Sequence, residues 1–177
     1  MKIKFKKLTQ GAILPKKATE GSAAYDLYVP EDVIVNPGRQ IIPLGFAMEM
    51  EPGYQALVEP RSGFSSKGIE GYEYLGAHPF RRLWHLDFTD APPKNTTYAA
   101  LGTDRFDCDV IVGKIDADYR GGVGAILNNR DFRSFIIKAG TRIAQLTFLK
   151  VENAEWEETD TLSETDREGG FGSTGTK

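Results

Sequence analysis

Nineteen glycines and nine prolines are spread at short intervals through a chain of 177 residues. Each weakens or ends a helix or strand interior, so the chain is cut into brief segments with little room for long helices. The segments between them read as strands. Residues 45–50 place Phe46, Met48 and Met50 on one side, and residues 54–58 continue the pattern beyond a Pro52-Gly53 turn. Residues 32–35 run into a second turn, Asn36-Pro37-Gly38, after which Ile41, Ile42, Pro43 and Leu44 follow. Residues 122–127 and 143–149 are rich in apolar and β-branched types and carry no polar stripe at helical spacing. Many short strands separated by turns predict an all-β fold, an antiparallel barrel or sandwich, in one domain.

Charge narrows the function. The 22 Lys and Arg nearly balance the 25 Asp and Glu, so the chain is not a general polyanion binder and direct binding of nucleic acid is not expected. Anionic ligands must be met locally. The single cysteine, Cys108, forms no internal disulfide and falls short of a structural zinc site. The first seven residues alternate basic and apolar types without the apolar run of an export signal, and no stretch approaches membrane-spanning length. A reducing, cytoplasmic setting is expected.

Two regions depart from this background. Residues 70–109 are aromatic and irregular, with Tyr72, Tyr74, Phe80, Trp84, Phe88 and Tyr98 around Pro92-Pro93, and read as an ordered insertion longer than loops in compact domains usually run. Residues 152–166 are acidic and give way to Arg167-Glu168-Gly169-Gly170-Phe171-Gly172-Ser173-Thr174-Gly175, too polar and glycine-rich to order itself unless it lies on something. The chain therefore divides into a β domain over 1–151, carrying the 70–109 insertion, and a terminal arm over 152–177.

Three clusters carry chemistry, each with a plainer alternative. Arg167, Ser173, Thr174 and the closely spaced N–H groups of the tail suit a polyphosphate, because glycines let the backbone approach oxygens without Cβ clashes; the alternative is a flexible end. A Walker-type loop is excluded, since Thr176 stands where that motif needs Lys. Residues 59–68 gather Arg61, Ser62, Gly63, Ser65, Ser66 and Lys67 behind a strand, which suits phosphate oxygens or simply makes a surface turn. Residues 113–122 set Asp116 and Asp118 beside Tyr119 in an apparent hairpin, where Asp is ordinary.

In order and spacing, these clusters resemble the five motifs of the trimeric dUTPase family. Ser22-Ala23-Ala24-Tyr25-Asp26-Leu27 is similar to the first, Pro60-Arg61-Ser62-Gly63 to the second, and residues 113–121 to the third. Residues 138–146, ending Ile143-Ala144-Gln145-Leu146, resemble the fourth, and residues 169–175 the fifth. The resemblance covers nearly the whole chain outside the insertion and looks most like bacterial members. It implies a distorted, jelly-roll-like antiparallel β-barrel, a homotrimer with exchange of the C-terminal arm, and hydrolysis of dUTP to dUMP and pyrophosphate. Asp116 is then the general base that activates water against the α-phosphorus, a contribution on the order of 10²–10⁴-fold. Arg61, Ser62, Gly63 and Gln145 would hold the phosphates, with Arg167, Gly172, Ser173 and Thr174 closing over them as a lid. Gly113 and the backbone near it would read uracil, Tyr119 would stack under the deoxyribose, and Phe171 would cover the base. Mg²⁺, bound mainly by substrate phosphates and waters, would have Asp26 in its outer shell. Tyr25 is expected in the core and Arg142 in a structural turn.

Four departures from the family pattern stand out. Val110 occupies the place of the usual base-reading Asn, leaving that task to backbone groups or Asp109. The second motif is one residue short after Lys67, and Arg167 lies closer to Phe171 than usual. Then there is the insertion, whose Arg81, Arg82, Trp84, His78 and His85 either pack on the barrel or contact a protein partner. Two rival readings remain: a fold relative that deaminates dCTP, and a regulatory binding protein on a dUTPase scaffold.

Overall fold

The computed structural model describes residues 1–74 and 103–165. Among these, the strands are β1 (Lys4–Lys7), β2 (Tyr25–Tyr28), β3 (Val33–Val35), β4 (Gly38–Glu49), β5 (Tyr54–Glu59), β6 (Ile69–Glu73), β7 (Asp104–Phe106), β8 (Cys108–Ile111), β9 (Gly113–Ile115), β10 (Gly122–Asn129), β11 (Phe135–Ile137) and β12 (Arg142–Lys150). A single short helix, α1 (Ser62–Lys67), follows β5.

The strands form three four-stranded antiparallel sheets, ordered β1-β4-β10-β8, β3-β11-β6-β7 and β2-β12-β5-β9. The all-β antiparallel expectation holds, but the pairings described do not close into one barrel. The reason lies in the turns. Gly38 and Gly53 sit at φ +94° and +82°, which glycine alone reaches without strain, and each passes the chain from one sheet to another instead of folding it back on its neighbour. The apparent hairpin at 113–122 behaves likewise: β9 pairs with β5, whereas β10 pairs with β4 and β8.

Burial follows the two-residue period. In β10 the side chains of Val123, Ala125 and Leu127 are buried between less buried neighbours, and Phe46, Met48 and Met50 enter the core as their alternation predicts. Strand β11 is buried at all three positions, and Phe135 stacks on Phe106 with ring centroids 4.2 Å apart. That stack leaves no space at Gly71, where a Cβ would stand 2.7 Å from the Phe135 ring.

The ends of the 70–109 segment are strands of the core sheets, β6 pairing with β7 through Ile69↔Phe106, Glu70↔Arg105 and Gly71↔Asp104. Arg133 secures this stem, bonding Asp104 at 2.6 Å and Asp131 at 2.8 Å while its guanidinium lies over the Phe106 ring. Residues 75–102, with Phe80, Trp84, Phe88, Tyr98 and both histidines, lie outside the described residues. At the other end, the Val151 N–H donates to Gly53 O at 2.9 Å, and residues 151–165 continue exposed and outside any strand, with Trp156 96% accessible.

Candidate functional site

Asp26, Asn129 and Ser134 are the buried polar residues among those described. Asn129 closes a turn, its amide donating to Arg133 O, and the Ser134 hydroxyl donates to Asn36 Oδ1 in a distant segment. Asp26 has a different environment. Its Oδ1 accepts from Arg61 Nε at 2.8 Å and its Oδ2 from Arg142 Nη1 at 3.1 Å, so a buried carboxylate is held between two guanidiniums.

Sheet register places its neighbours. Gln145 on β12 lies opposite Asp26 on β2 and opposite Glu59 on β5, so the three form one row across the sheet. The opposite face of these strands delivers Leu27, Val58 and Leu146 to the core. Glu59 accepts from the Thr147 hydroxyl at 2.8 Å, while the Gln145 amide makes no hydrogen bond among the described residues. Arg61 follows two residues beyond Glu59 and caps α1. With Nε committed to Asp26, both of its terminal amino groups remain without a partner among the described residues. Ser62 and Gly63 are exposed on the first turn, and a Cβ at Gly63 would meet nothing within 4 Å. Arg61, Ser62, Gly63, Gln145 and Asp26 are thus brought together at one end of β5, with the Arg61 terminal amino groups and the Gln145 amide unbonded among the described residues.

Asp116 lies elsewhere. It begins a turn closed by the Tyr119 N–H donating to Asp116 O at 3.1 Å, and Arg120 Nη1 braces the turn on Ala117 O and Tyr119 O. The Asp116 carboxylate is exposed and has no partner among the described residues. The Tyr119 hydroxyl donates to Gly122 O at 3.1 Å, which lays the ring against Gly121. Gly113 pairs with Val58 and has open space around it, its nearest neighbour for an added Cβ being Ile126 at 3.9 Å.

One expectation is corrected, that for Arg142. The Val110 side chain is buried in the core by alternation along β8, which leaves only its backbone groups to meet a ligand. Asp109, the suggested substitute, pairs with Arg130 at 2.9 Å. Arg142, expected in a structural turn, instead bonds Asp26. The physical reason is a register shift between Arg142 and Ala144 that leaves Ile143 and Ala144 both buried. Strict alternation would point Arg142 to the core side, and no residue pattern in the sequence announces the bulge. Tyr25 is partly buried and packs edge-on against Phe148, in keeping with its expected core role. Arg167, Phe171, Gly172, Ser173 and Thr174 lie outside the described residues.

No cluster of three or more His, Cys, Asp or Glu among the described residues is arranged for a metal. Both Asp26 oxygens already accept charged hydrogen bonds, so Asp26 suits a water-mediated contact to Mg²⁺ and not direct ligation. No helix among the described residues is long and apolar enough to cross a membrane.

Fold and site together define an antiparallel β protein that presents Arg61, Ser62 and Gln145 as donors at one strand end and a free carboxylate on a separate turn. The family model for dUTPase matches residues 10–75 and 105–175. A deoxyuridine 5'-triphosphate nucleotidohydrolase of Nautilia profundicola is 38% identical over 177 residues, covering 99% of both chains. That of Anaplasma marginale is 33% identical over 182 residues, again covering 99% of both. Among solved structures, a mutant dUTPase of Staphylococcus bacteriophage 80alpha with dUpNHpp is similar at TM-score 0.72 and 23% identity, over 99% of each chain. The dUTPase of S. aureus phage phi11, solved to visualise a species-specific insert, gives TM-score 0.66 at 18% identity, covering 93% of this chain and all of that one. The chain belongs to the dUTPase family. The two stretches matched by the family model leave out residues 76–104, where the insertion was expected.

Proposed function

We propose that the protein hydrolyses dUTP to dUMP and pyrophosphate, with Asp116 as general base. The observation that carries this reading is the Asp116 carboxylate, exposed and unbonded on a turn that is rigid through its own hydrogen bonds. A free carboxylate accepts a proton from water, and a fixed turn aims that water without reorganisation. The new P–O bond forms at the α-phosphorus as the bond to the bridging oxygen breaks, and pyrophosphate departs.

Arg61, Ser62, Gly63 and Gln145 hold the phosphates, and the tail residues Arg167, Gly172, Ser173 and Thr174 close over them, with Phe171 across the base. Mg²⁺ would neutralise phosphate charge, its nearest protein contact being a water held by Asp26. Tyr119 lies under the deoxyribose, and backbone groups near Gly113 read the uracil edge. A buried lone Cys108 thiol, pushed up to about 12 by burial and by the Asp109 and Asp107 carboxylates, suits a reducing, cytoplasmic setting.

Sheet register supports a site shared between subunits. Ile115 pairs with Ala56, so Asp116 is level with Gln55, whereas Arg61 lies beyond Glu59 at the other end of β5. The four steps from Gln55 to Glu59 alone span about 13 Å, and Arg61 lies beyond them, too far for one chain's Asp116 and Arg61 to address the same phosphate group. A homotrimer of 1–151 domains, each lending its 152–177 arm to a neighbour, brings them together.

The test is pyrophosphate release from dUTP, dTTP, dCTP and UTP with magnesium. Strong preference for dUTP is expected. Ammonia release from dCTP would establish the deaminase instead, and no turnover of any nucleotide would leave only a binding role.

A further inference from the structure

Asp26 meets two cations, yet the reaction as read above uses only one of them. We propose that Arg142 is a positioning residue for the triphosphate subsite: by occupying Asp26 Oδ2, it keeps Arg61 monodentate and free to face the phosphates. This rests on the reading of Arg61 as a phosphate ligand.

Guanidinium and carboxylate pair best in bidentate form, two parallel N–H groups on two oxygens. Left alone with Asp26, Arg61 would take both oxygens and turn a second nitrogen away from the ligand. It does not, because Arg142 Nη1 already holds Oδ2 at 3.1 Å while Arg61 Nε holds Oδ1 at 2.8 Å. The bulge between Arg142 and Ala144 makes this possible by bringing residue 142 to the Asp26 side of the sheet.

Charge points the same way. With Glu59 in the row and no cation paired to it among the described residues, Asp26, Glu59, Arg61 and Arg142 sum to neutral. Without Arg142 the row is net negative and opposes a polyphosphate. The Arg142 side chain is 47% accessible, so solvent screens most of this charge effect, and the loss in phosphate affinity, on the order of tenfold, comes chiefly from Arg61 turning onto both Asp26 oxygens.

A double-mutant cycle tests this. Binding of dUpNHpp and of deoxyuridine is measured for wild type, R142M, D26N and the D26N/R142M pair, with thermal unfolding as the control for folding. R142M should weaken dUpNHpp about tenfold and leave deoxyuridine within about twofold. On the D26N background, where no second anionic oxygen draws Arg61 inward, the same change should cost less than about threefold. Equal losses on both backgrounds, or parallel losses for both ligands, would make Arg142 merely structural and overturn the proposal; so would unchanged dUpNHpp binding. If R142M does not fold, R142K decides: it keeps a cation on Oδ2 and should bind dUpNHpp within about threefold of wild type, and a tenfold loss refutes the idea. Wild-type release of pyrophosphate from dUTP, run alongside, tests the assigned reaction separately from the role of Arg142.

Discussion

Replacing Asp116 with Asn removes the proposed base while conserving shape. The side chain is exposed and accepts no hydrogen bond from the described residues, and the turn is closed by the backbone oxygen of residue 116, which the substitution keeps. Stability should therefore change by no more than about 0.5 kcal/mol, the range of surface substitutions that break no contact. Catalysis should suffer far more. General base catalysis contributes on the order of 10²–10⁴-fold, so the barrier should rise by about 2.7–5.5 kcal/mol and kcat fall accordingly. Binding of dUpNHpp should stay within about threefold, because an uncharged amide removes repulsion from the phosphates but no contact to them. The assay pairs steady-state pyrophosphate release with calorimetric binding of dUpNHpp and a melting curve. A variant that folds and binds as wild type yet turns over within about fivefold of it would refute the assignment and move the base to another group.

Three further outcomes are expected. In G121A the new Cβ would stand 2.3 Å from the Tyr119 hydroxyl, at a position whose backbone accepts any residue, so the ring must swing off Gly122 O; the ratio of kcat/KM for dUTP over UTP should fall about tenfold, and an unchanged ratio would deny Tyr119 its role at the sugar. Removing residues 167–177 should abolish most activity yet preserve the oligomer in light scattering, and dissociation would show that the tail is an assembly element instead of a lid. At Asp32, burial raises the carboxyl, but the Lys138 hydrogen bond at 2.6 Å, the Ala139 N–H at 2.9 Å and the Lys138 charge outweigh it and hold the group below the ordinary carboxylate range. The pair's contribution, about 1 kcal/mol or less, is thus present above the unfolded carboxylate value and is lost as pH falls below about 4. Melting temperatures of D32N and wild type should differ at pH 7 and converge as pH falls well below the ordinary carboxylate range; a gap independent of pH would assign the effect to something other than the charge.

Much of this architecture is legible in the residues because strand period is local. The alternation of Phe46, Met48 and Met50, the apolar run of β10 and the glycine turns at 38 and 53 all appear where they read. Partner choice is not local. Nothing in the residues around Gly38 or Gly53 says that the chain leaves one sheet for another, and the 113–122 segment reads as a simple hairpin for the same reason. Helix α1 is hidden by its composition, since Ser62, Gly63, Ser65 and Ser66 are poor helix formers and only Phe64 anchors it in the core. At the site, motif order picks out Asp26, Arg61 and Gln145, which the structure groups at one end of β5, and Asp116, which it leaves exposed on a turn. It misses Arg142, because one extra residue in β12 reverses which face it joins.

Strand β5 explains why these residues divide between subunits. It pairs on one edge with β12, which sets Gln145 beside Glu59 at its C-terminal end, and on the other with β9, which carries Asp116 to its N-terminal end. A paired strand is a stiff spacer, so Asp116 and the row of Asp26, Gln145 and Glu59 in one chain are held apart whatever a ligand does. On the proposed reading, such a chain completes a site by offering Arg61 and Gln145 to one neighbour and its carboxylate turn to another, a head-to-tail contact that satisfies every copy when the rotation closes a ring. The segment from Val151 to residue 165 is exposed and outside any strand, and in the proposed trimer a surface of another copy would cover it.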